Sequence, residues 1–599
     1  MNPQLQQAIA HLNAGENEPA KAILRRLLQR NARDVEANKL MGMVLAGEEE
    51  NEQALFFLQR AAALAPSDPL MQFMHGNILM ILKKDKEALE AYRKVSKLAP
   101  AHFDGYDGQA KILLRMGRHE EAVAAYEAGL RATPVDPVSY RVYAIALSTM
   151  GRVDEAIAVL RRGIERLPKD PGLRESLCYQ LNFTDAPNDD VFRQHAELGR
   201  LVQERNAGRG SVTLPNTREP ERVLRVGFVS GDFCTHACAL FMEGLIANLD
   251  RAKVRPYCYY LREDIEPTTE RFRAMSEWRH VAALDEEAFR AAVLADGIDI
   301  LIDAGGWTEF QRLSAFSPRI APVQMTWLGY PNTTGIPEMD YRIVDAVTDP
   351  AGAEAFATEK LLRLEGCFLS FTPVETAPEG RLTATLEHAK AAGIARAEDL
   401  PADKPLMFGS FNRLSKVRPE ITRTWARVLA RVPNARLFLK SHLVSDDVKG
   451  VYHGIFREEG VDPARIVWSS FLPTLESHLA AYHQVDIALD SYPYNGTTTT
   501  CEATWMGVPV ITLAGSSHRS RVGASLLTAL GLEDQIASSH EQFVERAAGL
   551  AGDLPRLIGL HGSLRERMRG SVLCDTRGFA GRFEAGLRGA WRAWCKGGD

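Results

Sequence analysis

The sequence predicts an α-helical solenoid followed by two α/β domains, each built on a parallel sheet. A 34-residue period over the first 170 residues predicts the solenoid, and two successive series of apolar segments alternating with helical segments predict the α/β domains. Breaks rich in Gly, Pro and polar residues separate the parts. The predicted domains are residues 1–170 (repeats), 171–222 (helical connector and linker), 223–372 (first lobe), 373–405 (interlobe linker) and 406–599 (second lobe with closing C-terminal helices).

Small residues recur at two positions of each repeat, and proline recurs near its end. Position 8 is small in all five units, and position 20 is alanine in all five. Proline occupies position 32 in four units: Pro66, Pro100, Pro134 and Pro168. Small residues let the two helices of a hairpin approach closely, and proline ends the second helix. This is the tetratricopeptide pattern. It predicts a superhelix with a concave face, which we interpret as a protein-binding surface rather than a spacer or a dimerisation arm.

Composition excludes several classes of protein. The formal net charge of −6 on 599 residues argues against a general nucleic-acid or membrane-surface binder. The N-terminus has no apolar signal core, and no run of about 18 apolar residues occurs, so we expect a cytoplasmic protein. The eight cysteines are scattered without a CxxC pair, which predicts neither a disulfide framework nor a structural zinc site.

The two α/β parts each contain five predicted strands. In the first lobe the strand segments are residues 223–230, 254–261, 298–305, 322–329 and 341–347; in the second they are 406–412, 435–441, 464–471, 485–490 and 508–513. Alternation with helices indicates doubly wound parallel sheets. Two Rossmann-like lobes closed by a C-terminal helix indicate the GT-B architecture of glycosyltransferases. Ligands of open α/β sheets bind at the carboxyl ends of the strands, which places the predicted site in the cleft.

Four consecutive threonines follow one strand of the second lobe, in the segment SYPYNGTTTT. Asn495 and Gly496 permit a tight turn, after which residues 497–500 begin a helix. The free N–H groups of a first helical turn, together with threonine hydroxyls, suit a diphosphate, although plain N-capping needs no ligand. Glu502 lies one turn further on. It is either an acceptor for ribose hydroxyls or an ordinary surface glutamate.

Basic residues follow another strand of the second lobe, in FGSFNRLSKVRPE. This segment places Arg413, Lys416 and Arg418 at the same sheet edge. A cation there can neutralise a departing diphosphate without a metal, and a solvated basic loop is the alternative.

Polar side chains also follow two strands of the first lobe. VSGDFCTH places Asp232 and His236 beyond the first strand, and LIDAGGWTEF places Asp303 beyond a later one. Histidine can act as a base or as a hydrogen-bonding group near neutral pH. The loop after the first strand lacks a complete G-x-G-x-x-G, which argues against a dinucleotide-dependent dehydrogenase.

Together these motifs resemble the O-linked N-acetylglucosamine transferase family, glycosyltransferase family 41, in a compact bacterial form. The resemblance covers nearly the whole chain, including LRVGFVSGDFCTH, PVQMTWLGYPNTTGIPEMDY, FGSFNRLSKVRP and SYPYNGTTTTCEATWMGVPVIT. It implies an inverting, metal-independent transfer of a sugar, with N-acetylglucosamine expected, from a UDP-sugar to serine or threonine of proteins that the repeats recruit. It implies no cofactor besides the donor substrate. We expect no nucleic-acid partner and no membrane insertion, and leave a homo-oligomer open.

The resemblance also assigns roles to residues. Lys416 matches a lysine on the UDP diphosphate, His478 matches a residue beside the nucleoside, and Leu472 lies in the segment that contacts uracil. His236 matches a first-lobe histidine proposed as base, and Asp303 is the other candidate. Departures from the family pattern are Thr497, Trp307 and Asn332. The predicted catalytic residues are therefore His236, Lys416 and Asp303, and the predicted substrate-binding residues are Asn412, Leu472, His478, Asn495, Gly496, Thr497, Thr498, Thr499 and Glu502.

Two alternatives stay open. One is a related enzyme with another sugar or acceptor, such as UDP-glucose onto asparagine, which the intact repeat period argues against. The other is an inactive repeat-containing scaffold, which Lys416, the threonines and His236 argue against.

Overall fold

The computed structural model describes residues 2–210, 212–374, 376–441, 446–470 and 472–597. The chain divides into two compact units. The first comprises most of residues 1–168, and the second comprises most of the remaining chain together with residues 148–157. Among the described residues, no helix combines the length and the apolar character needed to cross a membrane.

Consecutive helices form the repeats of the N-terminal part. They are α1 (Pro3–Asn13), α2 (Asn17–Arg30), α3 (Val35–Gly47), α4 (Asn51–Leu64), α5 (Pro69–Ile81), α6 (Asp85–Leu98), α7 (Asp104–Arg115), α8 (His119–Ala132), α9 (Pro137–Thr149) and α10 (Val153–Arg166). The small residues lie where these helices cross. A Cβ at Gly42 would come within 2.6 Å of Leu58, and one at Gly76 within 3.0 Å of the Tyr92 ring. The 34-residue period therefore encodes close helix packing, as predicted.

Aspartate at the end of the repeat unit begins the next helix. The Asp34 carboxylate accepts the Ala37 N–H at 3.0 Å and caps α3, and Asp68 accepts the Leu70 N–H at 2.9 Å and caps α5. These carboxylates satisfy N–H groups that have no partner within the helix.

Two parallel sheets form the rest of the protein. The first has the strand order β3-β2-β1-β4-β5-β6-β7 and the second β10-β9-β8-β11-β12-β13. Their strands are β1 (Leu224–Ser230), β2 (Val254–Tyr260), β3 (Glu277–His280), β4 (Ile300–Asp303), β5 (Val323–Thr326), β6 (Tyr341–Asp345), β7 (Lys360–Leu364), β8 (Leu406–Ser410), β9 (Ala435–Lys440), β10 (Ile466–Ser469), β11 (Ile487–Leu489), β12 (Val510–Leu513) and β13 (Ile536–Ala537). The structure confirms the predicted fold class, and adds β3, β7 and β13 at the sheet edges.

Helices cover and connect these sheets. They are α11 (Pro171–Leu181), α12 (Asn188–Asn206), α13 (Ala239–Asn248), α14 (Pro267–Met275), α15 (Glu286–Asp296), α16 (Ala384–Ala392), α17 (Pro419–Arg431), α18 (Asp446–Glu458), α19 (Leu475–Ala480), α20 (Thr498–Trp505), α21 (Val522–Ala529), α22 (His540–Ala551), α23 (Leu554–Arg569) and α24 (Thr576–Cys595).

The final helix packs on the first lobe, although it follows the second lobe in the chain. Phe583 of α24 contacts the Trp327 ring at a centroid distance of 5.1 Å, and Trp591 donates its indole N–H to the Glu219 carbonyl at 3.0 Å. Trp327 and Trp591 are both almost fully buried. The last helix therefore completes the core of the first lobe.

Candidate active site

The strand order places the candidate loops at the switch point of each sheet. In the first sheet the order reverses between β1 and β4, and in the second between β8 and β11. Ligands of open α/β sheets bind at the carboxyl ends of strands at such points. Asp303 is the last residue of β4, and the segments that follow β1, β8 and β11 carry His236, Lys416 and the threonines.

Asp490 organises the turn before the threonine helix. Its Oδ1 accepts the N–H groups of Gly496 at 2.7 Å and Ser491 at 2.8 Å, and its Oδ2 accepts the Thr512 hydroxyl at 2.7 Å. Burial raises the pKa of Asp490 to about 6. A Cβ at Gly496 would overlap the Thr499 hydroxyl oxygen, so glycine is needed there. The turn thus delivers the N-terminus of α20 to the sheet edge.

The first turn of α20 presents hydroxyls and N–H groups together. The Thr499 hydroxyl donates to Asn412 Oδ1 at 3.0 Å, which ties the helix to the loop after β8. Within the described part of the chain, the hydroxyls of Thr497 and Thr498 have no protein hydrogen-bond partner. A helix N-terminus with such hydroxyls is suited to bind an anion.

Lys416 lies against the same turn. Its ammonium donates to the Asn495 carbonyl at 3.2 Å and stands 3.8 Å from the centre of the Tyr494 ring. Burial lowers the pKa of Lys416 to about 8, a shift that the Asp490 carboxylate opposes. A partly buried cation whose contacts are a carbonyl and a ring, with the Asp490 carboxylate as its counter-charge, gains from an incoming diphosphate, which would raise its pKa.

A polar chain extends from α20 towards the end of β9. His478 Nε2 lies 3.0 Å from Glu502 Oε2, and its Nδ1 contacts the Lys440 ammonium. Because the ammonium can only donate, Nδ1 accepts and Nε2 carries the proton that goes to Glu502. Glu502 is only 7% exposed, so the alternative of an ordinary surface glutamate does not hold.

Aromatic rings lie beside this polar chain. Phe411 stacks on Tyr482 at a centroid distance of 3.9 Å, and the Tyr482 hydroxyl donates to the Thr499 carbonyl at 3.2 Å. Leu472 is partly buried against the same core. Lys440 is not among the predicted site residues. The sequence pattern that could have indicated it is a lysine near the carboxyl end of the predicted strand 435–441.

His236 lies in the loop after β1, partly exposed. Its Nδ1 is 3.3 Å from Asp232 Oδ1 and 3.3 Å from the Cys238 backbone nitrogen. With a proton on Nδ1 the ring donates to Asp232, and without one it accepts the Cys238 N–H. Asp232 lies close enough to hold the imidazole in the tautomer with a proton on Nδ1, the arrangement in which Nε2 is free to act as a base.

Asp303 is placed differently from His236. It is 1% exposed, and its Oδ2 accepts the Gly306 N–H at 2.9 Å and the Thr326 hydroxyl at 3.0 Å. Its Oδ1 faces the Gly305 N–H at 3.4 Å, and burial raises the pKa of Asp303 to about 6. Because these contacts engage both oxygens, the geometry favours a role in shaping the loop over a role as base.

Two departures from the family pattern lie in buried contacts. The Trp307 indole N–H donates to the Thr334 carbonyl at 2.7 Å, and Trp307 is 2% exposed. Asn332 donates to Asn182 Oδ1 at 3.0 Å, which joins its loop to α11 and the residues that follow it. Both side chains hold loops together at the first-lobe edge.

Phe310 was not predicted to be a special position. It has a φ of +55° and is 44% exposed, and the Arg262 guanidinium lies 4.9 Å from its ring centre. A Cβ at Gly231 would lie 2.7 Å from Phe310 Cβ, which places this ring beside the His236 loop.

The two lobes meet in buried polar contacts. Ser525 of α21 donates to Asp345 Oδ2 at 2.6 Å, and Arg521 donates to the Val347 carbonyl at 2.6 Å. Burial raises the pKa of Tyr494, the ring beside Lys416. The Ser525 and Arg521 contacts hold the lobe that carries Lys416 against the lobe that carries the His236 loop.

The expectation of no metal site came from the absence of a familiar ligand spacing. Within the described residues, one group of side chains has ligand atoms close enough to share a cation. Asp232, His236 and Cys238 each offer one, and these atoms lie within 4.8 Å of one another. The spacing D-x-x-x-H-x-C is not a common motif, and the loop geometry that gathers the three is not visible in the sequence.

The fold and the facing loops define a two-lobed glycosyltransferase architecture preceded by tetratricopeptide repeats. The chain belongs to glycosyl transferase family 41, whose model matches residues 184–371 and 382–583. Tetratricopeptide models match residues 5–69, 71–102 and 108–171. These findings confirm the resemblance that the motifs indicated.

Similar proteins carry names of peptide glycosylation enzymes. The probable UDP-N-acetylglucosamine–peptide N-acetylglucosaminyltransferase SPINDLY of Solanum lycopersicum is 37% identical over 424 residues, which cover 70% of this chain and 44% of that protein. The UDP-N-acetylglucosamine–peptide N-acetylglucosaminyltransferase of Caenorhabditis elegans is 26% identical over 477 residues, 62% of this chain and 41% of that one. The chain thus spans less than half the length of the curated relatives it matches.

A solved structure matches over most of the chain. A variant of the Thermobaculum terrenum O-GlcNAc transferase aligns with a TM-score of 0.76 at 28% identity, and the match covers 89% of this chain and 99% of that one. The match therefore includes both the repeats and the two lobes.

Proposed function

We propose that this chain is an inverting, metal-independent glycosyltransferase. It transfers a sugar, with N-acetylglucosamine expected, from a UDP-sugar to serine or threonine of proteins. The observation that carries the proposal is Lys416, whose partly buried ammonium lies 3.2 Å from the Asn495 carbonyl, directly before the N-terminus of α20. Relatives with names that specify this transfer support the donor and the acceptor class.

In this proposal the second lobe holds the donor. The diphosphate binds Lys416, the N–H groups of Thr498 and Thr499 and the Thr498 hydroxyl, while the Thr499 hydroxyl donates to Asn412. The nucleoside lies towards Glu502 and His478. As the bond between the anomeric carbon and the phosphate oxygen breaks, its electron pair goes to the diphosphate. Lys416 and the helix N-terminus stabilise the growing negative charge, which is the task a metal performs in other transferases.

The first lobe receives the acceptor. The acceptor hydroxyl attacks the anomeric carbon from the side opposite the diphosphate, which inverts the configuration. His236, held by Asp232, orients this hydroxyl or takes its proton. The Asp303 carboxylate holds the neighbouring Gly305–Gly306 turn. The repeats bring the polypeptide to the cleft.

The test is intact-mass spectrometry of a protein mixture incubated with the chain and UDP-N-acetylglucosamine, with UDP release measured in parallel. We expect a mass step of one N-acetylhexosamine on serine or threonine, absent with Lys416→Ala. A mass step of one hexose or deoxyhexose with another nucleotide sugar would show that the donor is not UDP-N-acetylglucosamine. Modification of asparagine would show that the acceptor is not serine or threonine. No transfer and no UDP release with any donor would favour the inactive scaffold.

A further inference from the structure

The loop between β1 and α13 gathers three side chains of different donor chemistry. Asp232, His236 and Cys238 offer an oxygen, a nitrogen and a sulfur within 4.8 Å of one another, and His236 Nδ1 lies 3.3 Å from Asp232 Oδ1. The backbone holds this loop in place. The Asp232 N–H donates to the Ser230 hydroxyl at 2.9 Å, and the Thr235 N–H donates to Glu266 at 2.7 Å.

We propose that Asp232, His236 and Cys238 bind a thiophilic divalent cation, with Zn²⁺ as the expected ion. Ligand atoms about 2.0–2.3 Å from a tetrahedral zinc ion lie roughly 3.3–3.8 Å apart. The pair at 3.3 Å meets this spacing already, and the third atom, which lies within 4.8 Å of both, needs a shift of at most about 1 Å. A set of sulfur, nitrogen and oxygen ligands selects zinc or cobalt over magnesium, calcium and manganese, which prefer oxygen alone.

Asp232 lies beside both other side chains. Its Oδ1 is 3.3 Å from His236 Nδ1, and the ligand atom of Cys238 lies within 4.8 Å of both. The thiolate is the form that binds a cation, so the thiol proton goes to solvent on binding. Arg262, a nearby cation, is paired with Asp264 at 2.9 Å, and Glu266 adds negative charge. The surroundings therefore favour a cation.

The site differs from a closed structural zinc site. Asp232 and Cys238 are partly buried, whereas His236 is exposed. Three protein ligands with one side open to the cleft leave a fourth position for water. Since His236 is the acceptor-side residue of the proposed function, a bound ion would block transfer to protein and leave donor binding intact. This inhibitory consequence rests on the proposed function, and the binding site itself does not.

Cobalt spectroscopy tests the site independently of activity. The full chain, treated with chelator and dialysed, is titrated with Co²⁺ while the thiolate-to-cobalt charge-transfer band in the near ultraviolet is recorded. We expect one cobalt per chain, displaced by Zn²⁺. Cys238→Ser should abolish the band, and Asp232→Asn should weaken cobalt binding about 10–100-fold, the usual cost of disturbing a metal site.

Cys234 provides the matched control, because it lies in the same loop and is only 2% exposed. Cys234→Ser should keep the full band. Circular dichroism and UDP binding confirm that each variant is folded. Absence of the band in the wild type, or its persistence in Cys238→Ser, would overturn the site, as would its loss in Cys234→Ser alone.

Activity then tests the consequence. Zn²⁺ should suppress transfer onto protein at least tenfold in the wild type, with UDP affinity unchanged, and much less in Cys238→Ser, each relative to its own zinc-free rate. A cobalt band in a chain that transfers sugar from no donor would support the cation site and refute the proposed function. Transfer by a chain that shows no cobalt band would support the proposed function and refute the cation site. Zinc binding without inhibition would refute the inference that the ion blocks His236.

Discussion

Replacing Lys416 by alanine removes the only side-chain cation whose ammonium the described structure places in hydrogen-bonding contact with the Asn495 carbonyl before α20. An ammonium about 4 Å from a unit negative charge contributes on the order of 4 kcal/mol at an effective dielectric constant of about 20. Loss of one such preorganised contact lowers turnover about 10²–10³-fold. We expect this loss with every acceptor and also in the slow hydrolysis of the donor, because the leaving group is the same.

The lowered pKa of Lys416 also predicts how UDP affinity depends on pH. Burial lowers it to about 8 in the free protein, and the diphosphate binds the charged form. UDP affinity should therefore be nearly constant from about pH 7 to 8 and fall, by up to about tenfold per pH unit, as the pH rises further. In Lys416→Ala this decrease above pH 8 should disappear.

We expect the lower turnover of Lys416→Ala to reflect the lost contact, because the substitution should not destabilise the fold. A lysine whose pKa is lower in the folded than in the unfolded state disfavours folding while it is charged, and stability rises as the pH passes from the folded towards the unfolded value. Lys416→Ala should therefore be at least as stable to heat as the wild type near neutral pH. Lys390→Ala, on the exposed side of α16, serves as the matched control.

The assay combines calorimetry of UDP binding from about pH 7 to 9.5 with single-turnover transfer at saturating donor. Near-normal binding and rate in Lys416→Ala, with pH-independent affinity in the wild type, would refute the assignment of Lys416 to the diphosphate.

Four further predictions concern other parts of the protein. His236→Ala should keep UDP affinity near normal and lower transfer onto protein about 10²–10⁴-fold; loss of UDP binding, measured by calorimetry, would reverse the assignment of the lobes. Transfer and UDP release should survive excess EDTA, and complete loss restored by manganese would contradict the metal-free mechanism. Removing residues 1–168 should impair transfer to protein much more than hydrolysis of the UDP-sugar; equal loss of both rates would mean that the repeats support the lobes instead. Phe310→Gly should be about 1 kcal/mol more stable in urea unfolding than Phe310→Ala, because both remove the ring and only alanine keeps the strain of φ +55°; equal stability would contradict the strain.

The sequence predicts best what is encoded by local or periodic patterns. The contact of Gly42 with Leu58 follows from a repeat that places a small residue opposite a bulky one. The convergence of the turn at Gly496 with Lys416 follows from strand order, because carboxyl ends of parallel strands share one edge.

What the sequence did not predict depends on side chains distant along the chain. The edge strands β3 and β7 carry the segments EWRH and KLLRL, which lack a buried apolar run. The contact between Lys440 and His478 joins the end of β9 to α19. Asp303 Oδ2 accepts both the Gly306 N–H and the hydroxyl of Thr326, which belongs to another strand. Such contacts are fixed by tertiary packing, and local propensity does not encode them.

The position of α24 has a consequence for synthesis on the ribosome. Trp327 and Phe228 of the first lobe are covered by Phe583, which is translated more than two hundred residues later. At about 5–20 residues per second, the apolar face of the first sheet waits on the order of ten seconds to a minute for its last helix. During that interval the nascent lobe exposes surface that chaperones recognise, and its folding becomes complete only when the second lobe has emerged as well. The two lobes therefore mature together, and a partly made chain presents no finished first lobe.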